Sequence, residues 1–147
     1  MAEHALTVSE AKVIIDRLAR AKSAQNIDAA MEIYHPDAVL ESPPLGTHYV
    51  GEQVRGAIAG WFAFAPDYQV EIAGNALDQE TLCSWGTITF TPAFTAGGQV
   101  PNGKKVSVPA FMLFQFRGGR VSWESFHFDI ASTAQQCGVN ATALVKQ

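Results

Sequence analysis

The first third of the chain repeats apolar residues at the three- and four-residue spacing of an amphipathic helix. Thr7 and Glu10 form a capping-box pattern, which predicts where the first helix begins. Asn26 can cap a second helix that carries apolar residues as far as Tyr34. Pro36 should end it, because proline disfavours helical backbone in the residue before it. A third predicted helix carries the apolar positions Val54, Ile58, Trp61 and Phe62.

Beyond residue 66 the apolar spacing changes to a period of two, which is typical of strands with one buried face. A short strand is predicted at 38–42, and longer ones are predicted at 68–73, 82–94, 105–116 and 121–128. Glycine pairs predict turns, the last of them at Gly118-Gly119. Three helices followed by a run of strands favour an α+β fold, a curved antiparallel sheet with helices on one face.

The length of 147 residues fits one domain, which we expect to span residues 1–147 with a core at about 9–138. The tail after Val139 carries no strong pattern and is expected to be flexible. A hydrophobic content of 48% with only 16% charged residues suits an internal cavity or a dimer interface.

A net charge of −4 argues against a nucleic-acid partner, whose phosphates require clustered lysine and arginine. No apolar run approaches the ~20 residues that span a bilayer, so no membrane partner is expected. The N-terminal segment lacks the basic and apolar regions of a signal peptide, and a cytoplasmic location is therefore expected.

Four segments carry a resemblance to a known family: NIDAAMEIYHPDAVLESPP, VGEQVRGAIAGWF, VPNGKKVSVPAFMLFQF and RGGRVSWESFHFDIASTAQQCGV. Together they resemble the SnoaL-like polyketide cyclases. These belong to the nuclear transport factor two-like superfamily, as do ketosteroid isomerase and limonene epoxide hydrolase. The resemblance implies an α+β cone with an internal apolar cavity and a small apolar ligand. Because the last strand carries aromatic residues on both faces, we expect a homodimer through the outer face of the sheet, with Trp123 and its neighbours at the contact.

The same resemblance places non-ionisable residues where ketosteroid isomerases carry their reacting groups. Ser42 and Met112 stand at the positions of the two aspartates, and Leu18 stands near that of the donor tyrosine. Tyr34 matches a second tyrosine, which could hold a hydroxyl inside the pocket. The strand SWGTITF lacks the charged residues of the epoxide hydrolases. Neither relative's chemistry is therefore expected in its usual form.

Strand alternation and the apolar stripe of the first helix predict which side chains face a common cavity. Its aromatic members would offer flat surfaces to an apolar ligand. The expected lining consists of Leu18, Tyr34, Leu40, Ser42, Trp61, Met112, Phe114, Phe126 and Phe128.

The same alternation directs Glu124 towards the cavity and directs Trp123 and His127 to the outer face. Burial disfavours the charged form of a carboxylate, which would suit Glu124 to acid/base chemistry. A strand bulge, or a position at the pocket mouth, would leave Glu124 merely solvated. Asp129 can cap the last helix, whereas the resemblance makes it an acid/base candidate. His127 could be oriented by Asp129, or it could be an interface or core residue.

The leading expectation is a cofactor-free enzyme that cyclises or isomerises an apolar carbonyl compound by acid/base chemistry. No set of residues has metal-ligand spacing and no phosphate-binding loop occurs, so neither a metal nor a cofactor is expected. One rival is a non-catalytic protein that binds an apolar metabolite, and another is a domain whose sheet mainly serves dimerisation.

Overall fold

The computed structural model describes residues 6–145, and it places six strands in one curved sheet with helices packed on its inner face. The expectations about the extreme N-terminus and the last two residues lie outside the described residues. The elements are α1 (Val8–Ser23), α2 (Ile27–Met31), β1 (Tyr34–Ser42), β2 (Thr47–Val50), α3 (Gln53–Phe64), β3 (Gln69–Asp78), β4 (Thr81–Phe90), β5 (Val106–Arg117), β6 (Arg120–Phe128) and α4 (Ile130–Cys137). Short 3₁₀ turns occupy Pro43–Leu45 and Ala141–Ala143.

Helix α1 begins at the predicted capping box, where the Glu10 amide donates a 3.1 Å hydrogen bond to the Thr7 hydroxyl. Its buried face packs against β3 and carries Ala11, Ile15, Leu18 and Ala21. No helix within residues 6–145 is long and apolar enough to cross a membrane.

The sheet is mixed rather than wholly antiparallel as predicted, because β1 pairs with β6 in parallel. The Val121 amide of β6 donates to the Ile33 carbonyl at 2.9 Å. Ile33 and Tyr34, which were predicted to end the second helix, therefore lie beside β6. Tyr34 therefore begins β1 and does not end α2, in keeping with the strand preference of β-branched and aromatic residues. Residues 47–50, for which no strand was predicted, form the edge strand β2.

The β5–β6 hairpin fixes which side chains of β6 face inward. Gly118 and Gly119 provide the positive φ angles of its turn, and Phe114 pairs with Glu124. The pairing shifts by one residue near Gln115, before Glu124 is reached. Beyond that irregularity the alternation is regular, so the bulge does not turn Glu124 outward.

After Val139 the chain packs against the loop that contains Gly97. The Gly97 amide donates a 3.0 Å hydrogen bond to the Ala143 carbonyl, and Ala143 and Leu144 are buried. A Cβ on residue 97 would lie 2.9 Å from the Ala143 Cα, so the close approach requires glycine. The tail thereby becomes part of the cavity wall, to which Leu144 contributes.

Candidate functional site

A cavity of about 560 Å³ lies between the inner face of the sheet and α3. Its walls are mainly apolar, and one lining residue, Trp61, has five other rings around it at centroid distances of 5.3 to 5.9 Å. The aromatic lining residues are Tyr49, Trp61, Phe62, Phe64, Tyr68, Phe94 and Phe126. Further polar groups come from Lys22, Glu41, Ser42, Thr47, Gln53 and Glu124. The arrangement suits an apolar ligand oriented by a few polar groups.

Glu124 is a carboxylate in the core of the protein that borders this cavity. It is 1% exposed, and β6 aims it inward beside Phe126. The Tyr34 hydroxyl donates a 2.5 Å hydrogen bond to its Oε1. The Lys22 ammonium lies 3.4 Å from Oε1 and 3.5 Å from Oε2. The second oxygen, Oε2, therefore has only this longer contact with the residues that the structure describes.

Tyr34, which orients the Glu124 carboxylate through this hydrogen bond, is itself 2% exposed. Burial raises the pKa of its hydroxyl well above the ordinary value, and the charge of Glu124 and the hydrogen bond to it act in the same direction. The hydroxyl therefore remains a donor across the physiological pH range. The Lys22 ammonium also lies 5.6 Å from the centre of the Tyr34 ring, a cation–π distance.

Tyr68 provides a second buried hydroxyl close to Glu124. Burial raises its pKa, and the charge of Glu124 raises it further. Its ring packs edge-on against Trp61 at 5.4 Å and is 3% exposed. Within residues 6–145 the structure records no hydrogen-bond acceptor for this hydroxyl, which remains able to donate to a ligand in the cavity.

Lys22 and Tyr68 were not among the residues predicted from the sequence. Lys22 follows the buried positions Leu18 and Ala21 on α1, so a lysine at the edge of that stripe was a signal that could have been used. Tyr68 directly precedes β3, where its aromatic ring was interpreted only as part of a strand. No local pattern in the sequence indicates that either residue meets Glu124.

The structure distributes most of the predicted lining residues between two separate spaces. Leu40, Ser42, Trp61 and Phe126 line the cavity, and the Ser42 hydroxyl donates to the Phe126 carbonyl at 2.8 Å. A separate space of about 20 Å³ beneath α1 is lined by Leu18, Met112 and Phe114. The two spaces share Lys22, Tyr68, Glu124 and Phe126, which therefore separate them.

Two further residues of the predicted lining do not reach the cavity. Phe128 is 8% exposed, packs against Trp61 and Phe126, and is not among the residues that line the cavity. Tyr34 lies behind Glu124 and acts on the cavity through that carboxylate.

The structure brings neither Asp129 nor His127 to the cavity. Asp129 is exposed, and its carboxylate accepts a 2.9 Å hydrogen bond from the Ser132 amide, so it caps α4. His127 lies on the outer face, stacked on Phe111 at 4.5 Å and within 2.7 Å of the Ser125 hydroxyl. Burial lowers the pKa of this imidazole, although the charge of Glu41 opposes the shift. Among the described residues no hydrogen bond joins Asp129 to this imidazole, whose partner is Ser125.

Within the described part of the chain, no three His, Cys, Asp or Glu side chains are grouped closely enough to hold a metal ion. Glu124 and its neighbours Lys22, Tyr34 and Tyr68 form a cluster of buried or partly buried polar groups beside the cavity.

Solved structures with this fold include several small bacterial proteins. A proposed SnoaL-like polyketide cyclase from Jannaschia sp. CCS1 is 17% identical with a TM-score of 0.79, covering 95% of this chain and 99% of that one. A proposed polyketide cyclase from Acidithiobacillus ferrooxidans is 22% identical with a TM-score of 0.77, covering 90% and 98%. A protein with a ketosteroid isomerase-like fold from Catenulispora acidiphila, solved with trimethylamine, is 18% identical with a TM-score of 0.77, covering 88% and 95%.

These structural similarities establish the fold, a nuclear transport factor two-like α+β cone. No curated protein matches the chain in sequence. The model of the SnoaL-like domain matches residues 15–124, which is well over half of the chain and includes Lys22, Tyr34, Tyr68 and Glu124. The chain therefore belongs to the family of SnoaL-like domains.

Proposed function

We propose that the protein is an enzyme that transfers a proton at an apolar carbonyl compound, leading to cyclisation or isomerisation without a cofactor. One observation carries this proposal: a carboxylate that is 1% exposed, Glu124, borders an aromatic cavity with one oxygen held by Tyr34. The polyketide cyclases proposed among the structural neighbours support the same class of reaction.

Glu124 is the base in this proposal. Its Oε2 takes a proton from the carbon next to the substrate carbonyl, and the electron pair of that C–H bond forms an enolate. The Tyr68 hydroxyl donates a hydrogen bond to the enolate oxygen, which stabilises the charge that develops there. Tyr34 keeps the carboxylate oriented, and the Lys22 ammonium limits the charge that accumulates in the apolar site.

Two outcomes are open to the enolate. Its carbon can attack a second carbonyl of the same molecule, so that a C–C bond forms and the resulting alkoxide takes the proton back from Glu124. Alternatively, protonated Glu124 can return the proton at another carbon, which moves a double bond. Both outcomes restore the carboxylate, and neither requires a redox partner.

The competing proposal is a binding protein for an apolar metabolite. The observation that favours it is the Lys22–Glu124 ion pair, whose side chains are 15% and 2% exposed. Such a pair, hydrogen-bonded to Tyr34, can be a purely structural cluster beneath a binding pocket.

Exchange of α-protons for deuterium distinguishes these proposals. 2-Tetralone, an apolar bicyclic ketone, is incubated with the protein in D₂O and followed by proton NMR, with other cyclic ketones of similar size as a panel. 2-Naphthol, which imitates its enol, reports binding by fluorescence. We expect binding together with exchange faster than in buffer. Binding of 2-naphthol without accelerated exchange of any ketone in the panel would contradict the proposal of an enzyme and favour the proposal of a binding protein.

We also propose that two copies of the chain associate through the outer face of the sheet. The predicted contact, Trp123, is half-buried and donates to Glu41 at 3.1 Å. On this outer face Trp85 and Phe111 pair across β4 and β5, and each is 44% exposed. Contiguous apolar surface of this kind is typical of an interface.

A charge at the centre of that surface should separate the two copies. Phe111→Lys is expected to convert a dimer into a monomer at micromolar concentration, as measured by light scattering. Val100→Lys is the matched control, because Val100 is 86% exposed on a loop and should leave the dimer intact. A wild-type protein that is monomeric under the same conditions would refute the proposed interface.

A further inference from the structure

Gln25 has a backbone conformation that residues with a side chain rarely adopt. Its φ of 57° lies in the left-handed region, directly after the last turn of α1. Its amide donates to the Lys22 carbonyl, and the next amide donates to the Ala21 carbonyl. Helix ends with this hydrogen-bond pattern usually carry glycine at this position, because glycine adopts such a φ without strain. Capping alone therefore does not account for a glutamine here.

The side chain of Gln25 joins two walls of the candidate site. Its Nε2 donates to the Tyr68 carbonyl at 2.8 Å and to the Lys22 carbonyl at 3.2 Å. One amide group thus connects Lys22, whose ammonium lies beside Glu124, with Tyr68, whose hydroxyl can donate to a ligand. Both of these residues border Glu124.

The adjacent residue strengthens the connection between α1 and β3. The Ser23 hydroxyl accepts a 3.1 Å hydrogen bond from the Val70 backbone amide. The Ser23 carbonyl accepts a 2.9 Å hydrogen bond from the side-chain amide of Gln69. These bonds tie the end of the helix to the beginning of the strand. They would remain if the Gln25 side chain were removed, so its effect can be tested without detaching the helix.

Gln25 carries a second unfavourable feature. Its Oε1 is buried and has no hydrogen-bond partner among the described residues. Left-handed backbone and an unpaired buried oxygen both destabilise the folded state. Their coincidence in one residue that contacts two members of the site favours a functional explanation over a purely structural one.

We propose that Gln25 is a positioning residue that fixes Lys22 and Tyr68 relative to one another around Glu124. This inference rests on the proposed function, since it concerns how the same site is held together.

Gln25→Gly tests the role, because glycine removes the amide group but favours the same φ. Gln79→Gly is the matched control, since Gln79 has a φ of 56° in the turn between β3 and β4. We expect both variants to melt within a few degrees of the wild type. Only Gln25→Gly should lower kcat for 2-tetralone exchange, by about 10-fold or more, because small misplacements of reacting groups are costly. Its KM should change much less than its kcat.

A double-mutant cycle with Tyr68→Phe separates positioning from general weakening of the fold. If Gln25 acts through Tyr68, the loss in the double variant should be smaller than the product of the two single losses. Gln25→Asn serves as a second variant, because asparagine tolerates the left-handed region but is one methylene shorter. It should lose activity as Gln25→Gly does.

Each outcome bears on a different claim. Wild-type kcat in Gln25→Gly, or losses that multiply in full with Tyr68→Phe, would overturn the positioning role while leaving the proposed function in place. If Gln25→Gly does not fold, the same comparison is made with Gln25→Asn. An absence of exchange in the wild-type protein and in Gln79→Gly would contradict the proposed function, and the positioning role with it.

Discussion

Glu124→Gln is expected to slow the α-proton exchange of 2-tetralone by about 10²–10⁴-fold, the usual contribution of a positioned acid/base group. Glutamine keeps the size of the side chain and an oxygen for the 2.5 Å hydrogen bond from Tyr34, but it cannot accept a proton from carbon. Binding of 2-naphthol, measured by fluorescence, should therefore change little. A fall in kcat with binding retained is what loss of a group that acts in the transition state produces.

Two substitutions of the same kind serve as controls. Glu71→Gln replaces an exposed glutamate on β3, and Asp129→Asn replaces the cap of α4 with a residue that caps about as well. Both should retain wild-type exchange rates. If Asp129→Asn abolished exchange in a folded protein while Glu124→Gln did not, the assignment of the base to Glu124 would be wrong.

Lys22→Met is expected to destabilise the protein by about 3 kcal/mol, because it leaves a buried carboxylate without its counter-charge. For a chain of this size that loss corresponds to a melting temperature lower by about 6–12 °C, measured by calorimetry. The expectation follows from burial, since the Glu124 side chain is 2% exposed and that of Lys22 is 15% exposed. Desolvation makes the breaking of such a pair far more costly than the breaking of a surface pair.

The chain offers a matched comparison on the same helix. Lys12 and Asp16 form an ion pair whose side chains are 56% and 34% exposed, so Lys12→Met should cost under about 1 kcal/mol. The double variant Lys22→Met, Glu124→Gln removes both charges and should recover most of the lost stability. A Lys22→Met protein as stable as Lys12→Met would contradict the claim that Lys22 stabilises the charge of Glu124.

The fold was predictable where local chemistry decides the structure. The capping box at Thr7, the glycine turn at Gly118-Gly119 and the alternation along β6 are all local signals, and the structure contains each of them. The parallel pairing of β1 with β6 was missed because it joins segments distant in the sequence. Tyr34 was assigned to a helix for the same reason, since this beginning of β1 pairs only with β6.

The candidate site was predictable only in part. Alternation along one strand was enough to direct Glu124 inward, because side chains on a strand point to opposite faces in turn. Lys22 and Tyr68 come from the end of a helix and the beginning of a distant strand, so their meeting depends on tertiary packing. Asp129 was ambiguous in the sequence because capping and acid/base chemistry both favour a carboxylate, and its hydrogen bond to Ser132 supports the cap.

A crystal structure of the protein with 2-naphthol tests the central claim most directly. If Glu124 and Tyr68 form the reacting centre, the naphthol ring should lie against Trp61 with its oxygen within hydrogen-bonding distance of the Tyr68 hydroxyl. The ring carbon next to that oxygen should then face Oε2 of Glu124. A naphthol bound on the outer face, or bound in the cavity with its oxygen directed away from both residues, would contradict the account.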